Sequence, residues 1–231
     1  MWVEQLWRFP VKSMRGERIE RTRITQDGVD GDRLVHIADA NGVLTARTRS
    51  RLLGLAGTLG PDGKAMVNGL PWDHPEVAAA VSAAAGPGAR ATRYDGPERF
   101  DVLPLLIATD GAIAALGEDG RRLRPNILIG GVDGLAERDW PGQALRIGEV
   151  VIGVYSVRAR CVVTTIHPDS GVHDPTVLRK INREFDGRIA LNCWVATGGV
   201  VGVGDPVEVV ELDLEPPRPG GWIVGAPYLV P

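Results

Sequence analysis

The sequence predicts a mainly β protein with a few short helices, on three observations. Glycine and proline are abundant, 30 and 17 in 231 residues, and they recur at regular intervals. Between them lie many strand-length runs rich in Val, Ile, Leu and Thr. Turn signals such as Gln26–Gly28, Ala40–Gly42 and Pro61–Lys64 bound most of these runs. Many short strands at such spacing argue for barrels or sandwiches.

In chain order the expected strands are MWVEQLWRF, RIERTRIT, RLVHIAD, GLAGTL, NILIGG, EVVIGVYSV, CVVTTI, IALNCWVAT and PVEVVEL. RIERTRIT alternates polar and apolar residues, so one face is expected to be wet. EVVIGVYSV does not alternate and is expected to be buried on both sides. Three helices interrupt the strands. The first, within DHPEVAAAVSAAAG, has Asp73 as expected N-cap, Pro75 in the first turn and Gly86 as its stop. The second runs from Thr109 to about Gly117. The third has Asp174 as cap and Pro175 at its first position, with Val177, Leu178, Ile181 and Phe185 at helical spacing. TGGVVGVGDP reads as a turn before the last strand, since it lacks the G-x-G-x-x-G order of a dinucleotide site. The Gly/Pro-rich stretch at 86–98 suggests a boundary. It divides the chain into a β-rich unit at 1–90, a second at 91–213 and an extended tail at 214–231.

Composition narrows the function. The formal net charge is −3 and aromatics make up 5%, which argues against a nucleic-acid partner. Two cysteines suffice for neither a disulfide framework nor a cysteine-ligated iron–sulfur cluster. No run is long and apolar enough for a membrane span. The expectation is a cytoplasmic protein with no membrane partner. The four histidines show no zinc spacing, and there is no G-x-S-x-G elbow.

What remains are four cationic stretches. Cys161 follows Arg158 and Arg160, and fixed positive charge is the setting in which a cysteine acts as ligand or nucleophile. On an ideal strand the two arginines face away from it, so a bend at the strand end is needed to gather them. Core filler is the commoner role for such a cysteine, and more so for Cys193, which has no charged neighbour. FPVKSMRG places Lys12, Ser13 and Arg15 in a turn suited to an anion. Arg47, Arg49 and Arg51 lie at period two, and on a strand they would share a face. Arg124, held extended by Pro125, precedes Asn126 at a strand entry.

In their order along the chain, these motifs resemble the MOSC-domain family, named for the C-terminal domain of molybdenum-cofactor sulfurases. They are FPVKS (Phe9–Ser13), DGDR (Asp30–Arg33), TARTRSRL (Thr45–Leu52), RPNI (Arg124–Ile127), ERDW (Glu137–Trp140), RCVVTTIHPDSG (Arg160–Gly171) and VGDPV (Val203–Val207). The resemblance is closest to the branch with an N-terminal β-rich MOSC domain, which includes the amidoxime-reducing component. It implies a β-barrel MOSC fold and a molybdenum cofactor, that is, molybdopterin carrying molybdenum. By resemblance Cys161 is the metal ligand and the catalytic residue. Lys12, Ser13 and Arg47 match phosphate-binding positions, Arg124 and Asn126 the pterin side, and Ala159 and Arg160 the residues before the ligand.

The implied activity is reduction of an N-hydroxylated small molecule. Electrons would come from a separate donor, a flavin reductase or an iron–sulfur or haem protein. Asp169 is a candidate for proton handling or for capping its turn. The alternative is a non-catalytic module that carries the cofactor, or carries sulfur as a persulfide on Cys161; an enzyme of specialised metabolism with another substrate is a third reading. Three departures stand out. Val102 and Leu103 replace a hydroxyl-bearing turn, Ala159 replaces a serine, and the Arg47–Arg51 stretch lacks a proline. Substrate choice is expected to lie with the loop at 130–142 and the helix at 174–185.

Overall fold

A computed structural model describes residues 1–94 and 99–218. Part of the 86–98 boundary and most of the 214–231 tail therefore lie outside the described residues.

The centre is an eight-stranded sheet in the order β17-β13-β14-β15-β11-β12-β1-β2. Its strands are β1 (Trp2–Arg8), β2 (Glu17–Ile19), β11 (Leu105–Thr109), β12 (Ile127–Gly130), β13 (Ala144–Ile147), β14 (Val150–Ala159), β15 (Arg188–Thr197) and β17 (Glu208–Val210). The first strand of the chain thus pairs with β12 from its middle, antiparallel, with Trp2 opposite Gly130 and Leu6 opposite Ile127. Only β11 and β12 run parallel, as their connection through helix α2 (Asp110–Leu116) requires. A three-stranded sheet of β16 (Gly199–Gly202), β3 (Arg21–Thr25) and β4 (Gly28–Val29) covers one face. Ile24, Val29 and Val201 from it join Val3, Ile107, Ile152 and Cys193 in one apolar core. The fold is mainly β, as the turn-punctuated sequence predicts.

A second core gathers Val11, Met14, Val35, Ile37 and Leu52 against helix α1 (Pro75–Ala85). It is framed by β5 (Val35–Asp39), β6 (Gly42–Leu44) and β10 (Arg90–Arg93), with β7 (Gly57–Leu59), β8 (Ala65–Val67) and β9 (Leu70–Pro71) as a further small sheet. Helices α2 and α3 (Pro175–Glu184) pack on the large sheet through Ala112, Leu116, Val177 and Ile181.

The expected cap of α3 forms, Asp174 accepting from Thr176 N, and at the expected start of α2 Thr109 acts as the cap by accepting from Ala112 N. Gly117 closes α2 in the left-handed conformation. Four local expectations are corrected. The α1 cap is His74, whose Nδ1 accepts from Glu76 N, because Pro75 occupies the first helical position and moves the cap one residue past Asp73. RIERTRIT is two strands broken at Glu20, since its halves pair with different sheets. TGGVVGVGDP contains a strand, β16, paired along β3 from Gly199 to Gly202. CVVTTI is not a strand but a 3-10 turn over Val162–Thr165. There Thr164 Oγ1 donates to Cys161 O at 2.8 Å and Thr165 Oγ1 to Val162 O at 2.6 Å. Such short-range bonds offer the backbone an alternative to a ladder.

Candidate functional site

The early end of β14 creates the site. β14 stops at Ala159, and Arg160 N makes one more bond, to Gly187 O at 2.9 Å, before the chain bends at Cys161. Ala46, Leu53 and Ile166, with Val163 packed on them, seat the turn after Cys161 against the 45–54 segment. The turn at Lys12 and Ser13 is fixed from the other side. Lys12 N donates to Val35 O at 2.7 Å, and Ser13 Oγ accepts from Ala46 N at 3.0 Å.

These segments enclose a cleft of about 810 Å³, open mouth included, with Cys161 half-buried in its wall. Six cationic side chains line it: Lys12, Arg33, Arg47, Arg124, Arg158 and Arg160. The only carboxylate among the lining residues is Asp101. It accepts from Lys12 Nζ at 2.9 Å and from one guanidinium nitrogen each of Arg47 and Arg158, both at 3.1 Å. Burial alone would raise the Asp101 carboxyl, but Lys12, Arg47 and Arg158 outweigh it and hold it far below the usual carboxylate range. Burial lowers Lys12 despite this pairing, with Arg33 and Arg47 adding to the effect. Arg33 pairs with the buried Asp32, but Arg124 and Arg160 are under-compensated. Burial and like charges push Arg124 and Arg160 down to about 10. Arg160 Nη2 donates to Leu123 O at 2.7 Å, yet its buried Nε has no partner. Burial alone would lower Arg47, but the neighbouring Asp101 and Cys161 outweigh it and raise it above its ordinary value.

Backbone strain gathers at the same place. Ser13, Arg33 and Arg124 are non-glycine residues at φ of 70°, 50° and 56°, so Arg124 is left-handed and not extended before Pro125 as the sequence suggested. Left-handed backbone costs such residues about 1 kcal/mol or more each and persists where surrounding contacts impose it. Here it aims three polar side chains into one cleft. Arg124 lies over the Phe9 ring, 4.3 Å from its centroid.

Of the residues singled out from sequence, Lys12, Ser13, Arg47, Arg124, Ala159, Arg160 and Cys161 line the cleft together. Asn126 does not. It is fully buried, accepting from Leu106 N at 3.2 Å and donating to Trp7 O at 3.4 Å, and so ties β1 to β11. Asp169 lies outside the cleft in a two-pronged pair with Arg121, at 2.9 and 2.6 Å. Arg47, Arg49 and Arg51 do not share a face, because the chain leaves β6 at Leu44 and turns. Arg47 enters the cleft, Arg49 Nε donates to Ala85 O at 2.8 Å, and Arg51 is exposed. The 130–142 loop and α3 contribute no lining residue. Sequence reasoning missed Asp101, Arg33 and Asn192 as site residues. Arg33 stood in the DGDR motif, and Asn192 accepts from Arg158 Nη1 at 3.2 Å.

Two family models match the chain: the MOSC N-terminal beta barrel domain over residues 1–92 and the MOSC domain over residues 111–208. The chain belongs to the MOSC-domain family. Mitochondrial amidoxime-reducing component 1 of Homo sapiens is 32% identical over 126 residues, covering 46% of this chain and 37% of that protein. Mitochondrial amidoxime reducing component 2 of Homo sapiens is 36% identical over 80 residues, 32% of this chain and 23% of its own. This MOSC chain thus matches well under half the length of these curated relatives. Among solved structures, the YuaD protein from Bacillus subtilis superposes at a TM-score of 0.48 with 16% identity, covering 90% of this chain and 98% of that one. YiiM from Escherichia coli superposes at 0.45 with 12% identity, covering 93% and 72%.

The residues fit an anionic metal chelate. No group of three or more His, Cys, Asp or Glu side chains among the described residues could hold a metal ion. Cys161 offers a single sulfur, so a metal bound there must bring most of its own ligands. The cationic excess and the orphaned Arg160 Nε call for an anion with several acceptor oxygens.

Proposed function

We propose that this protein is a molybdenum-cofactor-dependent oxidoreductase that reduces N-hydroxylated compounds with electrons from a separate redox partner. The observation that carries this reading is one half-buried cysteine facing a cleft of six cations and one carboxylate. The similarity to amidoxime-reducing components supports the substrate class.

Cys161 would ligate molybdenum through its sulfur. Lys12, Ser13 and Arg47 would hold the phosphate, and Arg124, Arg160 and the backbone at Ala159 the pterin. When bound, the cofactor supplies two-electron oxygen-atom chemistry at the metal. Overall, an amidoxime takes up two electrons and two protons, its N–O bond breaks, and an amidine and water leave. Asp101 stays ionised near neutrality, held so by three cations, and therefore orients Lys12, Arg47 and Arg158 without delivering a proton.

The test is to express the protein in cells that make the cofactor, quantify molybdenum, and assay benzamidoxime reduction with a chemical electron donor. The expected result is about one molybdenum per chain and turnover, with both lost in Cys161→Ala. Stoichiometric metal without turnover under any donor would leave the cofactor-carrier reading standing. A metal-free protein that traps sulfur on Cys161 would support the persulfide reading.

A further inference from the structure

A second cleft shares a wall with the first. Arg124 and Val163 line both, and Val163 belongs to the turn that follows Cys161. Its apolar walls are Trp7, Phe9, Leu53 and Ile166, and Arg15, Arg121, Arg122 and Asp169 line it as well. The small cluster that seats the Cys161 turn therefore also forms part of this cleft's floor. Trp7 Nε1 is committed to Gln5 Oε1 at 2.9 Å, which leaves the indole face to the cleft. Gly16 permits the geometry, since a Cβ there would stand 2.4 Å from the Phe9 ring.

Charge here is unevenly committed. Arg121 is saturated by Asp119 and Asp169, and Arg122 sits 3.2 Å from Glu118. Arg15 is different. Its backbone is clamped, with N donating to Leu55 O at 3.0 Å and O accepting from Gly57 N at 2.7 Å. Its guanidinium has no hydrogen bond or ion pair among the described residues, although the field of Asp169 reaches it. Arg124 likewise makes no side-chain hydrogen bond and lies on the Phe9 face. Trp7 supplies an aromatic wall for a flat apolar body, Phe9 being buried beneath Arg124, and an uncommitted arginine on a fixed backbone calls for an anion.

We propose that this second cleft is the substrate pocket and that it takes flat aromatic compounds bearing a carboxylate, the carboxylate meeting Arg15. The substrate role rests on the reductase reading above; the ligand class rests on the cleft alone. Neither the 130–142 loop nor α3 lines this cleft, so specificity passes to Trp7, Phe9 and Arg15.

The experiment is calorimetry on the full chain as isolated from cofactor-making cells, with 2-naphthoate and its neutral isostere 2-naphthamide. Naphthoate is expected to bind about tenfold more tightly, the worth of one charge-assisted pair. Arg15→Gln should abolish that preference and leave the molybdenum content unchanged; because Arg15 is exposed, the variant should fold. Trp7→Ala should weaken both probes. In turnover, Arg15→Gln should raise the KM for 4-carboxybenzamidoxime several-fold more than the KM for benzamidoxime. Equal affinity for the two naphthalenes, or an unchanged preference in Arg15→Gln, overturns the ligand class. Selective naphthoate binding without reduction of any amidoxime leaves the ligand class standing and overturns the substrate role together with the reductase reading.

Discussion

One cysteine lies inside a strand, the other just past the end of the neighbouring strand, and they have opposite fates. Cys193 lies within β15, opposite Val154 of β14, with no exposure and only apolar neighbours. Burial pushes its thiol up, out of reach of ionisation at ordinary pH. Cys161 follows the end of β14 by two residues, half-buried beside Arg47 in a cleft of arginines. The difference lies in where each strand stops. β15 continues through Cys193, whereas β14 stops short of Cys161 and gives way to the turn closed by the Thr164 and Thr165 back-bonds.

The sharpest way to break this comparison is thiol labelling. In the folded, cofactor-free protein, iodoacetamide should modify Cys161 at least about a thousandfold faster than Cys193, which is reached only when the sheet opens. Peptide mass mapping after timed quenching reads the ratio, and comparable rates would mean that the sheet does not protect Cys193. Cofactor loading should suppress the Cys161 modification. Cys193→Ala should cost about 1–2 kcal/mol of stability in urea unfolding, as a small core truncation does, and leave the molybdenum content unaffected.

The same contrast explains what was legible in the sequence. The β class, the caps at Thr109 and Asp174 and the position of Cys161 all depend on short-range chemistry that a local pattern displays. The resemblance brought seven of the eight expected site residues to one cleft, and only Asn126 went elsewhere, into the join between β1 and β11. Asp101 was illegible because nothing in DVLP signals its role. It becomes a site residue only when Lys12, Arg47 and Arg158, 89, 54 and 57 positions away, converge on it. CVVTTI misled because β-branched residues favour strands until threonine hydroxyls find nearby carbonyls.

Asp101 supplies the next largest effect. It stands in the cleft where an anionic ligand would meet the same three cations. Asp101→Asn should cost the cofactor-free protein about 1–2 kcal/mol, a value discounted because the carboxylate is partly exposed. It should also tighten pyrophosphate binding about tenfold by removing the competing charge. The folded carboxyl lies below its unfolded value of about 4. Its contribution is therefore fully present above that value and is lost as pH falls through the depressed folded one. The stability gap between wild type and Asp101→Asn should be constant from neutral pH to about pH 5 and close only in stronger acid. A gap that closes near neutrality would show that the three cations do not hold the carboxyl ionised.

The smallest effects come from three arginines that look alike in sequence. Arg47→Ala removes one Asp101 contact and one cation from the cleft, so it should lower cofactor retention far more than stability. Arg49→Ala removes the bond to Ala85 O at the C-terminal end of α1, where a cation offsets the helix dipole. It should cost about 0.5–1 kcal/mol and leave molybdenum in place. Arg51 is exposed, and its replacement by Ala should stay within about 0.5 kcal/mol and change no binding. Molybdenum content and urea midpoints, measured side by side on the three variants, read this grading. If all three lost cofactor equally, the arginines would share one face after all, and the turn that separates Arg47 from its neighbours would not set the geometry of the cleft.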